Sequence, residues 1–405
     1  MRPPLPALLA VLLIVGCASR EVAEPAGKPD LHEQNAVLSY ALQELQEQGE
    51  FAGAVTLVVA PRGAIALEAF GLADLASQRP MRRDSVFWIA SMTKPITAMG
   101  VLMLVEEGKL GLDDPVAKHL PAFRDQRLTT PAGVVKPGRP VTIRDLLTHS
   151  SGLTGASPTP NGQPVDSLSL AAMADFYGHQ PLIAEPGTKW AYSNAGINTL
   201  GRIIEVASGQ AYADFVQQRF LDPLGMDSTS FWPTDEMVGR MATPYRKDKA
   251  TGGLVAAGNS RFATPLADRR RTAIPAGGLF STAEDLTQLY QMLLRDGELD
   301  GHRYLKAETL RLMTTNQLGD LPKVSFAPGM QMGLGFHLVH TPQGVTESLS
   351  PGSFGHGGAY GTQAWIDPVR RRAYVLLIQR TDLPNSDGSE IRRVFQRAAV
   401  EFFGR

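Results

Sequence analysis

The sequence has almost no cysteine: one in 405 residues, Cys17. No disulfide can form within the chain, and no thiolate-rich metal site can be built. It also lacks an excess of one charge. Lysines and arginines number 39 against 40 aspartates and glutamates, a formal net charge of −1. A dedicated nucleic-acid binder usually carries a basic excess, so no nucleic-acid partner is expected. No internal repeat or low-complexity tract accounts for the 40 glycines and 29 prolines. With 43% hydrophobic residues the chain has material for a large core, which excludes a disordered or fibrous class. H-E-x-x-H, G-x-x-x-x-G-K-[ST] and G-x-S-x-G are all missing. That argues against a zinc hydrolase, a P-loop nucleotide site and an α/β-hydrolase nucleophile elbow. No metal and no cofactor are expected.

Residues 5–15 are almost wholly apolar but shorter than the roughly 20 residues of a spanning helix. They end in Ile14-Val15-Gly16-Cys17, which resembles a bacterial lipobox. The expectation is a lipoprotein signal peptide over 1–16, acylation of Cys17, and a tether over 17–34. A plain signal peptide with a chance cysteine is the alternative. Ala18, not aspartate, follows Cys17. By resemblance to lipoprotein sorting rules, that implies the periplasmic face of the outer membrane.

The body reads as strands at both ends and helices between. Residues 32–49 carry apolar positions at helical spacing. Residues 54–60 and 64–70 are β-prone runs around Pro61-Arg62-Gly63, a hairpin signal. Residues 91–107 read as a buried helix with Pro95 in its first turn, where a missing N–H costs little. Further helices are expected at 141–147, 198–207, 282–294 (capped by Ser281) and 390–403, and paired strands at 363–366 and 373–379. The expected fold is α+β. Residues 35–115 and 270–405 form a discontinuous unit around a central antiparallel sheet flanked by helices. Residues 116–269 form a mostly helical insertion, with the active site between the two. A monomer is compatible with the sequence, which does not specify an oligomer.

Three separated segments carry chemistry. In Ser91-Met92-Thr93-Lys94 the serine and lysine share a helix face. A lysine on a helix that is apolar nearly all round needs a reason to be there. A desolvated lysine can serve as a base; one that pairs with an acid or snorkels out is the structural alternative. Tyr192-Ser193-Asn194 offers a phenol that can take a proton and an amide that can orient a lysine or a substrate carbonyl. Alone it reads as a turn. Gly355-His356-Gly357-Gly358-Ala359 permits close backbone approach, and an N–H after the turn could serve an oxyanion.

In this order the three segments resemble the motifs of the serine β-lactamase and penicillin-binding-protein superfamily, and more closely its class C β-lactamase-related branch. That branch includes esterases, transesterases, D-aminopeptidases and DD-peptidases. Leu146-Leu147-Thr148-His149-Ser150-Ser151-Gly152-Leu153 and Pro275-Ala276-Gly277-Gly278-Leu279 support the resemblance, which covers about 35–403. It implies a β-lactamase/transpeptidase-like fold and two-step acyl transfer. Ser91 would be the acylated nucleophile. Lys94 and Tyr192 would handle its proton as a coupled pair, with the choice of base left open. Asn194, His356, Gly357 and Gly358 would orient the substrate, and the N–H groups of Ser91 and Ala359 would bind the oxyanion. Members with β-lactamase activity usually carry lysine where His356 stands. A mostly neutral imidazole holds a carboxylate less well at pH 7. The expectation is therefore an esterase on small acyl esters. Action on β-lactams or cell-wall peptides, or a non-catalytic cell-wall-binding lipoprotein, are the alternatives. His149 is expected to satisfy loop backbone. The arginines at 269–271 are expected in solvent. Trp88, Trp190 and Trp365 are read as cleft walls or core packing. Specificity is expected from the loops at 155–168 and 246–272.

Overall fold

The β-prone runs around Pro61-Arg62-Gly63 fold as the expected hairpin, β1 (Gly53–Ala60) and β2 (Gly63–Asp74). The computed structural model describes Met1 and residues 31–257, 262, 264–321, 326–383 and 386–405. It extends the hairpin with β3 (Arg79–Pro80), β4 (Met330–Met332), β5 (His337–Val339), β6 (Phe354–Gly357), β7 (Gln363–Asp367) and β8 (Arg372–Leu377). The order across the sheet is β4-β5-β6-β7-β8-β1-β2-β3, antiparallel throughout. The two ends of the chain meet where Leu57 of β1 lies opposite Val375 of β8.

The helices used below are α1 (Leu31–Glu47), α2 (Thr93–Glu106), α3 (Ile143–Leu147), α4 (Asn194–Ser208), α5 (Ala283–Leu294) and α6 (Glu390–Phe403). Every residue of β1 is buried because it has a core on each side. Val55, Leu57 and Val59 share one core with Leu286 and Leu289 of α5; Ala54 and Val58 share the other with Leu38, Leu42, Ile391 and Phe395 of α1 and α6. Residues 93–104 of α2 are all buried, as a helix apolar nearly all round requires. The stretch 116–269 holds α3, α4 and shorter helices. It also holds two small ribbons, Leu128–Thr130 with Gly133–Val135 and Tyr245–Lys247 with Leu254–Ala256.

Three expectations need correction. Helix α1 begins at Leu31, inside the stretch read as a tether; Cys17 and residues 2–30 lie outside the described residues. The cap of α5 is Thr282, whose side chain accepts from the Asp285 N–H, because Ser281 is held in a strand pairing opposite Phe87. Arg271 is buried, not solvated. Its Nη2 donates to the Phe231 and Leu266 carbonyls, and its guanidinium lies 4.4 Å from the centre of the Phe262 ring. Among the described residues no helix is long and apolar enough to cross a membrane.

Candidate active site

The short strand Phe87–Trp88 pairs with Phe280–Ser281, and the chain then turns at Ala90 with φ at +45°. A side chain in the left-handed region costs about 1–2 kcal/mol, and such strain tends to be held at functional sites. A 3-10 turn, Ala90–Met92, feeds into α2. It leaves Ser91 half-buried and puts Lys94 one turn on, fully buried. Lys94 Nζ donates to Ser91 Oγ at 3.0 Å and to the Ala276 carbonyl, and lies 4.8 Å from the centre of the Tyr192 ring. The first two motifs thus meet around Lys94 Nζ.

Ala276 is itself fixed from α4. Its N–H donates to Asn198 Oδ1 at 3.1 Å, and Asn198 Nδ2 donates to Ser157 Oγ at 3.4 Å. Ser193 caps α4 by accepting from the Gly196 N–H. Asn194, the first residue of that helix, lines the cleft beside Ser91. Asn198 was missed in the sequence. Its signal was the four-residue spacing from Asn194, which puts both amides on one helix face. On the far side, Trp88 Nε1 donates to the Gly277 carbonyl at 2.7 Å.

The third motif arrives on β6. A Cβ on Gly358 would lie 2.1 Å from Thr362 Oγ1 and 2.6 Å from the Ile89 carbonyl. One on Gly357 would lie 2.3 Å from Asp387 Oδ1. Only glycine lets the strand pass this close to the Ser91 turn. Ala359, next in the chain, lines the same cleft as Ser91. His356 Nδ1 is 2.7 Å from the Gly357 carbonyl, so that nitrogen donates, while Nε2 has no partner among the described residues. Burial, with His337 and Lys94 nearby, pushes the His356 pKa well below the ordinary imidazole value.

His337 on β5 also went unread, since a three-residue strand shows no periodicity. Its ring lies 4.9 Å from that of His356, and burial pushes its pKa down to about 4. The unfolded chain therefore binds a proton below about 6.5, whereas the folded chain resists it down to about 4. Stability falls as pH drops through that window, by about 3 kcal/mol for this group. His337→Gln is expected to flatten the decline of Tm between pH 6.5 and 4.5; an equally steep decline would contradict the assignment.

A cavity of about 380 Å³ opens at Ser91. Trp88, Val165, Phe262 and Ile274 form its apolar walls, and no charged side chain among the described residues lines it. Both loops expected to set specificity contribute, through Ser157 and Val165 and through Phe262. Of the tryptophans, Trp88 lines the cavity and Trp190 stands 6.4 Å from Tyr192. Trp365 belongs to the core beneath α1 and α6, with the Arg392 guanidinium 4.2 Å over its ring. Among the described residues no cluster of three His, Cys, Asp or Glu is placed to hold a metal ion.

With this geometry established, comparison with known proteins places the chain. The Beta-lactamase family profile matches residues 38–399. Protein Rv1367c of Mycobacterium tuberculosis is 34% identical over 369 residues, covering 84% of this chain and 88% of its own length. Esterase EstB of Burkholderia gladioli is 30% identical over 370 residues, covering 85% and 88%. Among solved structures, EstCE1, a hydrolase with promiscuous acyltransferase activity, superposes with a TM-score of 0.75 at 26% identity, covering 92% of this chain and 99% of its own. A family match running over nearly the whole chain, on the antiparallel sheet and helices described above, leaves one conclusion: the chain belongs to the beta-lactamase family of serine hydrolases.

Proposed function

We propose that this chain is an esterase acting on small, uncharged acyl esters through a Ser91 acyl-enzyme. The observation that carries the substrate class is the uncharged lining of the cavity at Ser91. His356 is held neutral by burial, and no charged side chain among the described residues lines the cavity at Ser91. The similarity to Esterase EstB supports the same reading.

In the proposed reaction Ser91 Oγ attacks the ester carbonyl carbon. Lys94 Nζ donates to Ser91 Oγ and the Ala276 carbonyl and stands beside the Tyr192 ring. Of the two side chains, the phenol is the group we assign to take the Ser91 proton, with Lys94 holding Ser91 Oγ in place. The backbone N–H groups of Ser91 and Ala359 stabilise the oxyanion. Asn194, His356, Gly357 and Gly358 orient the substrate. The alcohol leaves with the proton, and water activated by Tyr192 then attacks the acyl-enzyme and releases the acid. Export and lipid anchoring at Cys17 complete the proposal. They rest on the 14–17 motif, and the mass of the Cys17 peptide from envelope fractions checks them.

The test compares p-nitrophenyl butyrate with a chromogenic cephalosporin on the mature protein. A charge-assisted carboxylate contact contributes about 1.5–3 kcal/mol, or roughly ten- to a hundredfold. The ester is expected to lead in kcat/KM by at least about that factor. Parity, or a lead for the cephalosporin, would overturn the reading.

A further inference from the structure

We propose that His149 is a positioning residue for Tyr192, clamping the backbone on both sides of it. The proposal rests on the acyl-enzyme reading above. His149 closes the turn after α3 with φ at +57°. In that conformation its main chain and side chain serve the same neighbour. Its carbonyl accepts from the Ala191 N–H at 2.8 Å, and its Nδ1 accepts from the Ser193 N–H at 3.1 Å. Residues 191 and 193 flank Tyr192, so one residue holds the peptide groups on either side of the phenol. The imidazole also packs on the Tyr192 ring, with centroids 4.6 Å apart at 43°.

The neighbouring chain extends the clamp. The Gly187 N–H donates to the Ser150 carbonyl at 2.8 Å, and the Asn194 N–H donates to the Gly155 carbonyl at 3.2 Å. A Cβ on Gly155 would lie 2.7 Å from the Tyr192 carbonyl, so the turn needs glycine there. Residues 149–155 therefore form a cradle for 187–194, immediately before α4 begins.

The chemistry of the imidazole fits the task. Because Nδ1 accepts, the ring proton sits on Nε2. Protonation would turn Nδ1 into a donor facing a donor. Burial, with Lys94 and His337 nearby, keeps the ring neutral by pushing its pKa well below the ordinary value. The acceptor is thus available at neutral pH. The consequence reaches the reaction through Tyr192, whose ring centre lies 4.8 Å from Lys94 Nζ. A shift of 191–193 moves the phenol relative to Lys94 and Ser91, and misplacement by about 1 Å can cost about 10²-fold in rate.

Two variants separate the clamp from packing. His149→Phe keeps a ring and deletes the acceptor. His149→Asn keeps an acceptor near Nδ1, loses the ring, and tolerates the left-handed backbone. For His149→Phe, kcat on p-nitrophenyl butyrate and the rate of fluorophosphonate labelling are expected to fall together by about 10–100-fold with KM within about twofold. For His149→Asn both are expected within about fivefold of the parent. The proposal is overturned by a phenylalanine variant within that same fivefold, or by an asparagine variant that falls as far as it does. If His149→Phe does not fold, the folded asparagine variant decides alone: a larger loss overturns the clamp. Failure of the underlying reading shows differently, because the parent protein itself would not label.

Discussion

Ser91→Ala is expected to lower kcat for ester cleavage by about 10⁴–10⁶-fold while leaving the fold intact. The serine sits half-buried on a strained turn, and its hydroxyl accepts from Lys94 at 3.0 Å. Removing the hydroxyl deletes the group proposed to form the acyl bond. It also costs one hydrogen bond, about 0.5–1.5 kcal/mol. The neighbours that hold the turn do not use the Ser91 side chain: Trp88 bonds to the Gly277 carbonyl, and the Leu279 N–H to Thr93 Oγ1. Tm should therefore stay within a few degrees, read by calorimetry beside the rate assay. A residual rate within tenfold of the parent would mean that ester cleavage does not pass through Ser91.

Lys94→Met separates catalysis from stability more sharply. Methionine is close to lysine in length and carries no charge, and the residues from 95 to 104 around it on α2 are buried. Losing the partner of the Ala276 carbonyl costs about 1–3 kcal/mol. Removing a fully buried amine returns the cost of desolvating it. The variant should be as stable as the parent or more so. In the proposed reaction proton transfer from Ser91 depends on the Lys94–Tyr192 pair, so kcat should fall by about 10²–10⁴-fold. Activity within tenfold of the parent, in a folded protein, would remove Lys94 from the mechanism.

Much of this was legible because the relevant patterns are local. The β-prone run of β1, the turn at Pro61-Arg62-Gly63 and the amphipathic run of α6 depend on neighbours in sequence. The motif residues were legible for another reason: singly each has a structural reading, but their order along the chain resembles that of the superfamily's three motifs. What escaped acts over long separations. Asn198 matters because it meets Ala276, a pairing with no local signature; His149 satisfies loop backbone as expected, but which backbone, the Ser193 N–H, is not written in the sequence around it. Arg271 was misread because a run of three arginines looks solvated. The chain turns so that the third goes inward beneath Phe262. Trp365 follows the parity of β7: Ala364 and Ile366 belong to the core that holds α5, and Trp365 to the opposite one.

The most direct test is the mass of the intact protein after reaction with a fluorophosphonate ester, followed by peptide mapping. The account predicts one adduct per chain, on the peptide containing Ser91, formed in parallel with loss of esterase activity and absent in Ser91→Ala. An adduct on another residue, or full inhibition with Ser91 unmodified, would contradict it.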